Sequence, residues 1–178
     1  MALTGGKASR TAEAASLREG SPADGTRQPL KVVAHLSDGQ VVKGHTEVFP
    51  STELDFLLKG TAINMPAEIR IQVPGQQRPV SVSLTSLKAL FFVKSFTGSE
   101  TYKEIKFFEG HPSIEGLWVR VKFDDGEWTE GVIRNSHHFL TEPGFLVKPP
   151  DPQGNNEMVY VVKSALADFR ILGVRHTY

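Results

Sequence analysis

The chain has 178 residues, 39% of them hydrophobic, no cysteine, and 20 basic against 20 acidic side chains that cancel to zero net charge. That balance removes the positive field with which duplex nucleic-acid binders hold phosphates, and the missing cysteines exclude disulfides and thiolate chemistry. No stretch approaches the ~20 apolar residues of a membrane-spanning helix, and residues 1–18 hold no apolar run of the kind a signal peptide needs, so a cytoplasmic protein with no membrane partner is expected.

Residues 1–28 are dominated by Ala, Gly, Ser, Thr and charge, with Leu3 and Leu17 among few large apolar side chains. Such a segment buries too little surface to offset its ordering entropy, so a disordered tail is expected. From Leu30 the pattern changes: Val32, Ala34 and Leu36 alternate with Lys31, Val33 and His35, the two-residue period of a strand. Asp38-Gly39 is a hairpin turn signal, Val41-Val42 starts the return strand, and Gly44 marks a bend within it. A third strand is expected at Leu54–Lys59. A fourth is expected at Glu68–Val73, with Ile69, Ile71 and Val73 on one face. After the Pro74-Gly75 turn come Val80–Leu84 and Ala89–Val93, joined by Thr85-Ser86-Leu87, a link short enough only for a tight turn or one turn of 3₁₀ helix. Phe96–Gly116 carries the β-prone run Tyr102–Phe108 and is expected to be ordered against a neighbour. Five more strands follow at Trp118–Phe123, Glu127–Ile133, Gly144–Lys148, Glu157–Val162 and Asp168–Leu172, and no long helix is predicted.

One pattern occurs twice. Leu36-Ser37-Asp38-Gly39-Gln40-Val41-Val42-Lys43-Gly44 and Phe123-Asp124-Asp125-Gly126-Glu127-Trp128-Thr129-Glu130-Gly131 share Asp-Gly, four residues and a second Gly, at one offset (126 − 39 and 131 − 44 both give 87). A second pair of blocks follows in the same order, Val80–Leu90 and Val159–Phe169. A duplication of this kind means two similar units. Units of about 60 residues are marginal alone, so the copies are expected to pack against each other or to share a strand.

The order of strand, Asp-Gly, four residues, Gly, and then a strand, short turn and closing strand resembles the Sm-like fold, a small barrel of SH3 type. Met158-Val159-Tyr160 and Lys163-Ser164-Ala165-Leu166 look like the last strands of bacterial Sm-like RNA chaperones. Residues 30–173 also resemble a bacterial family of unknown function with two such units, where the Leu87–Val93 run and the Asp151-Pro152…Asn155-Asn156 loop are expected. The resemblance implies an all-β protein with two tandem barrels. In the RNA chaperones a Lys-His or Arg-Gly pair in the tight turn lines a nucleotide pocket in a ring. Here the turns carry Lys163-Ser164 and Leu84-Thr85, so the resemblance supports the fold further than it supports RNA binding.

Pro149–Asn156 is the most distinctive loop. Its Pro, Asp, Gly and Asn residues suit a hairpin tip, and loops on a rigid scaffold are where binding tends to reside. Asp151, Asn155 and Asn156 are therefore candidate contacts for a ligand or partner, with Lys163 and Ser164 of the tight turn beside them. His137-His138 would point to opposite faces of a strand and has no carboxylate or Cys cluster nearby in sequence, so no metal site is expected. Trp118 and Trp128 suit packing better than base stacking. Phe91, Phe92, Phe96, Phe107 and Phe108 suit a seam between the units or a dimer face. Asp124, Asp125, Glu127 and Glu130 read as a solvated hairpin rather than a hydrolytic acid pair, which needs a cleft. Neither a nucleophilic triad, a phosphate-cradling glycine loop nor zinc spacing is present, and the Arg-x-x-x-Arg motif of PilZ-like cyclic-dinucleotide receptors is missing.

The expected organisation is a tail at 1–28, a first barrel at 29–95, an ordered linker at 96–115 and a second barrel at 116–178. The expected function is non-enzymatic and cofactor-free: a bacterial cytoplasmic adaptor that engages a protein partner through barrel edges and the 149–156 loop, compatible with a homodimer. The alternatives are an Sm-like RNA-binding protein, disfavoured by the neutral charge, and a receptor for a small molecule such as a nucleotide messenger.

Overall fold

The computed structural model describes residues 29–49, 65–99, 101–112 and 115–175. The expected tail and the expected strand at Leu54–Lys59 lie outside these residues. The first repeat supplies β1 (Leu30–Leu36), β2 (Val41–Thr46), β3 (Glu68–Ile71), β4 (Val80–Ser83), a 3₁₀ turn at Leu84–Ser86 and β5 (Leu87–Val93). The second supplies β6 (Gly116–Phe123), β7 (Trp128–Ile133), the one-turn helix α1 (His138–Thr141), β8 (Gly144–Val147), β9 (Asn156–Val162), a 3₁₀ turn at Lys163–Ala165 and β10 (Leu166–Arg175). The protein is all-β. Every named strand pair is antiparallel, and the single-turn links expected before β5 and β10 are 3₁₀ turns.

The duplication read from the sequence recurs in the register. Val32 faces Gly44 across β1 and β2, and Val119 faces Gly131 across β6 and β7. Ala34 faces Leu90 across β1 and β5, and Val121 faces Phe169 across β6 and β10. The second strand of each repeat meets the third through an isolated bridge, His45 with Gln72 and Val132 with Lys148. Each bridge is closed by two backbone hydrogen bonds of 2.8–2.9 Å. Gly39 and Gly126 tip the two hairpins at φ +86° and +87°, the left-handed conformation that glycine adopts without a Cβ clash. Gly44 and Gly131 have a different role: a Cβ there would strike Ile71 and Gln72 in one repeat, and Val147 and Lys148 in the other.

The repeats do not sit side by side as separate sheets. The largest sheet runs β2-β1-β5-β9-β8 and takes strands from both, because β5 pairs β1 along one edge and β9 along the other. Two further sheets run β10-β6-β7 and β3-β4, and among the described residues none of the three closes on itself. Leu87–Val93 and Met158–Val162 are nearly continuous apolar runs because both faces of these strands are covered. On one face Leu87, Leu90, Phe92, Met158, Tyr160 and Val162 join a core with Val32, Ile69 and Ile71. On the other, Ala89, Val159 and Val161 join a core with Val119, Val121 and Ile133. Each core therefore contains residues of both repeats, and neither repeat completes its interior alone.

Candidate interaction site

The linker and the 149–156 loop form one structure. Tyr102–Phe108 is not a strand. It is held in an irregular path by carboxylates reaching out from the second repeat. Asp151 is only 4% exposed. Its oxygens accept from the Tyr102 hydroxyl at 2.8 and 3.0 Å, from the Ile105 amide at 3.0 Å, and from the Gln153 and Gly154 amides at 3.0 and 3.1 Å. Burial pushes the Asp151 carboxyl up, but the Ile105 amide, the Tyr102 hydroxyl and the loop amides outweigh it, and its pKa lies below the ordinary value. Asn155 pins the chain after β5: its Oδ1 accepts from the Ser95 amide at 3.0 Å and its Nδ2 donates to the Ser95 carbonyl at 3.0 Å. Asn156 donates to both oxygens of Glu104 at 2.9 and 3.0 Å. The three polar side chains singled out in this loop are thus engaged within the chain, as a brace between loop and linker. Over them runs an open groove of about 650 Å³ between residues 94–99 and 153–156.

Lys163 and Ser164 lie elsewhere. They occupy the 3₁₀ turn beyond β9, whereas Asn156 begins that seven-residue strand, so about 24 Å separates the two groups at ~3.4 Å per residue. The Lys163 ammonium stands 5.2 Å from the Phe139 ring centroid, and burial lowers its pKa despite the pull of Glu142. Ser164 is exposed. His137 and His138 sit on a helical turn, not on a strand, with rings 4.0 Å apart. Among the described residues no group of three or more His, Asp or Glu side chains could hold a metal ion.

Two charged residues have roles that neither periodicity nor motif spacing indicated. Lys88, on β5, is 7% exposed. It reaches across the repeat boundary to Asp125 and, at 2.7 Å, to Glu127, both in the second hairpin turn, with its ammonium 4.6 Å from the Phe123 ring centroid. Burial alone would lower the Lys88 pKa, but the two carboxylates raise it above its ordinary value, while the Lys88 contact holds Asp125 below its own. Glu130 is 2% exposed. It accepts from Arg120 at 2.6 and 3.1 Å, from the Trp118 indole at 2.9 Å and from the Phe108 amide at 3.2 Å. The hairpin acids are therefore not a uniformly solvated cluster: Asp125 and Glu127 tie the repeats together, and Glu130 ties the linker down. A charged residue inside the apolar run Leu87–Val93 was the available sign for Lys88. Glu130 carried no such sign. Trp118 packs edge-on to Phe108, and Trp128 lies under Arg120. Phe91 and Phe92 sit on the shared strand β5, and Phe107 is exposed.

No buried side-chain polar atom among the described residues lacks a hydrogen-bond partner, so no buried donor or acceptor is left waiting for a ligand. What the fold leaves open is a backbone edge. β5 is paired on both sides, but β10, its counterpart in the second repeat, is paired among the described residues only with β6. Along this ten-residue strand Ile171, Leu172 and Val174 are 54%, 36% and 57% exposed. At matching positions of β5, Phe92 and Val93 are 0% and 5% exposed.

Fold and surface define an all-β, internally duplicated protein whose second repeat has, among the described residues, an open strand edge. Residues 28–173 match a family described as a family of unknown function, DUF6982, and the chain belongs to it. No curated protein and no solved structure matches the chain.

Proposed function

We propose that the chain is a non-enzymatic adaptor that binds an extended segment of a partner protein along the free edge of β10. The observation that carries this reading is the conjunction, among the described residues, of unpaired backbone and exposed Ile171, Leu172 and Val174 on one ten-residue strand. Backbone pairing along an edge gives affinity, and alternate side chains give specificity. The 149–156 loop contributes indirectly, since its polar side chains hold the linker in place rather than facing a ligand. We further read each repeat as a small barrel of the SH3 or Sm-like type. In support, both repeats show the strand order fifth-first-second, a two-bond bridge, third-fourth and a 3₁₀ turn. A cytoplasmic setting fits a chain in which 22% of residues are charged and in which, among the described residues, no helix is long and apolar enough to cross a membrane.

The test is selection of displayed peptides against the purified chain, followed by mapping of the best binder by amide chemical shifts. Peptides that perturb β10 and lose at least tenfold in affinity against the Ile171→Lys/Val174→Lys double variant are expected. Failure to enrich any peptide, or binders that map away from β10, refutes the reading. Salt-sensitive binding of a short single-stranded RNA pool would replace it with the RNA-binding alternative.

A further inference from the structure

We infer that the outward face of the β1–β2 hairpin is a second docking surface, which takes an acidic segment of a partner protein. It lies on the first repeat and involves no residue of β10, so it goes beyond the strand-edge reading and does not depend on it. Val32 and Ala34 are fully buried in the core, which turns the alternate positions Lys31, Val33 and His35 of β1 outward. Across the register they meet His45, Lys43 and Val41 of β2. Lys31, Val41 and Lys43 are exposed, and His35 and His45 are half-buried. The face thus mixes lysine, histidine and valine, and β1, β2 and the neighbouring β5 contain no acidic residue.

The positive charges are held in place and left unbalanced. Lys31 and Lys43 are diagonal neighbours on this face, roughly 7 Å apart at Cβ. Both ammonium groups reach the stretch of chain that follows β5: Lys31 Nζ donates to the Lys94 carbonyl at 3.1 Å and Lys43 Nζ to the Phe96 carbonyl at 3.3 Å. Lys94 brings a third ammonium to the same stretch and donates to the Pro152 carbonyl at 2.7 Å. Among the described residues no carboxylate forms an ion pair with any of the three, Asp38 and Glu47 at the two ends of the hairpin included. A carbonyl satisfies one N–H of an ammonium but does not neutralise it, and like charges on adjacent strands are a cost that a counter-charge removes. Asp and Glu side chains of a partner segment supply that counter-charge. Nucleic acid fits the face less well, because single strands are held by stacking on open ring faces. Here the rings are engaged: Phe96 meets His45 edge-on at 5.2 Å, and Phe91 tilts against His35 at 4.8 Å. Lys94 also borders the open groove between residues 94–99 and 153–156, where the Ser95, Thr97 and Ser99 hydroxyls give a polar segment a path off the sheet.

The experiment is fluorescence polarisation of a labelled peptide of alternating Asp and Glu against the full chain, at low and at physiological salt, with the bound site mapped by amide chemical shifts. Binding that weakens with salt and perturbs residues 31–35, 41–45 and 94–96 is expected. Lys31→Gln/Lys43→Gln should lower affinity at least tenfold. Lys103→Gln/Lys122→Gln, which removes as many charges from exposed positions elsewhere, should leave it within twofold of wild type. Thermal melting checks that each variant folds, and Lys31→Arg/Lys43→Arg, which keeps the charge, should retain binding. No binding at low salt, equal losses from the two Gln pairs, or shifts that map to other residues overturn the inference. So does a short single-stranded RNA pool that binds the same residues more tightly than the peptide. The Ile171→Lys/Val174→Lys variant separates this surface from the strand edge. It should bind the acidic peptide at least as tightly as wild type, and loss of binding there would move the peptide to β10 and overturn the assignment to β1 and β2. If the acidic peptide fails to bind while selected peptides still map to β10, only the present inference falls.

Discussion

Gly131 can be tested against Gly126, five residues away, because the two glycines serve different physical ends. At Gly131 a Cβ would overlap Val147 Cγ1 and lie 2.7 Å from the Lys148 carbonyl oxygen, and at Gly44 it would lie 2.5 Å from the Gln72 carbonyl oxygen. Ordinary contact begins near 3.4 Å, so alanine must push the crossing strands apart by roughly 0.7–0.9 Å, enough to break the paired bonds between Val132 and Lys148, both now 2.9 Å. Overpacking costs about 1–3 kcal/mol and each lost hydrogen bond about 1 kcal/mol, so Gly131→Ala should destabilise by about 3 kcal/mol and lower Tm by roughly 6–12 °C for a chain of this size. At Gly126 a Cβ meets nothing within 4 Å and only φ +87° opposes it, a cost of about 1–2 kcal/mol that Asn, which visits the left-handed region, should largely recover. Differential scanning calorimetry of Gly126→Ala, Gly126→Asn, Gly131→Ala and Gly131→Asn separates the two causes, with Asn rescuing position 126 and worsening position 131. A Gly131→Ala protein melting within about 2 °C of wild type, or an Asn rescue at both positions, would refute the assignment of Gly131 to the strand crossing.

Two further outcomes follow from the buried charges. Lys88→Met releases two carboxylates that are already half exposed and should change stability little, whereas Asp125→Asn/Glu127→Gln leaves a buried ammonium without a counter-charge and should destabilise more; urea midpoints giving the reverse order would defeat the buried-charge reasoning. Because the Asp151 carboxyl is depressed in the folded chain, its contribution is fully present above the ordinary value of 3.8 and is lost as pH falls through its lower folded pKa. Asp151→Asn should therefore flatten the loss of stability below pH 4. At neutral pH it should cost about 2–3 kcal/mol, since the amide nitrogen would confront the Ile105 amide in one orientation, or the Gln153 and Gly154 amides in the other. Urea titrations at pH 3 and pH 7 that run parallel to those of wild type would show that Asp151 does not brace the linker.

The sequence by itself determined the local and repeated features. Alternation from Leu30 to Leu36, Asp-Gly turns at Gly39 and Gly126, and matched blocks ending at Leu90 and Phe169 specify strands, hairpins and their duplication, because strand period and left-handed turns are properties of a few neighbouring residues. Only the tertiary structure decided how the repeats combine. The run Leu87–Val93 is apolar on both faces, but nothing local says that β9 rather than β4 lies beside it. Asp151, Asn155 and Asn156 read as a binding tip, yet their partners Tyr102, Ile105, Ser95 and Glu104 are 46–60 residues away in the chain. Lys88 and Glu130 follow the same rule: a charge becomes a tie between distant segments only when folding removes it from water and brings its partners within hydrogen-bond reach. The edge that β10 presents among the described residues is decided last, since a strand is an edge only by virtue of what the rest of the sheet leaves beside it.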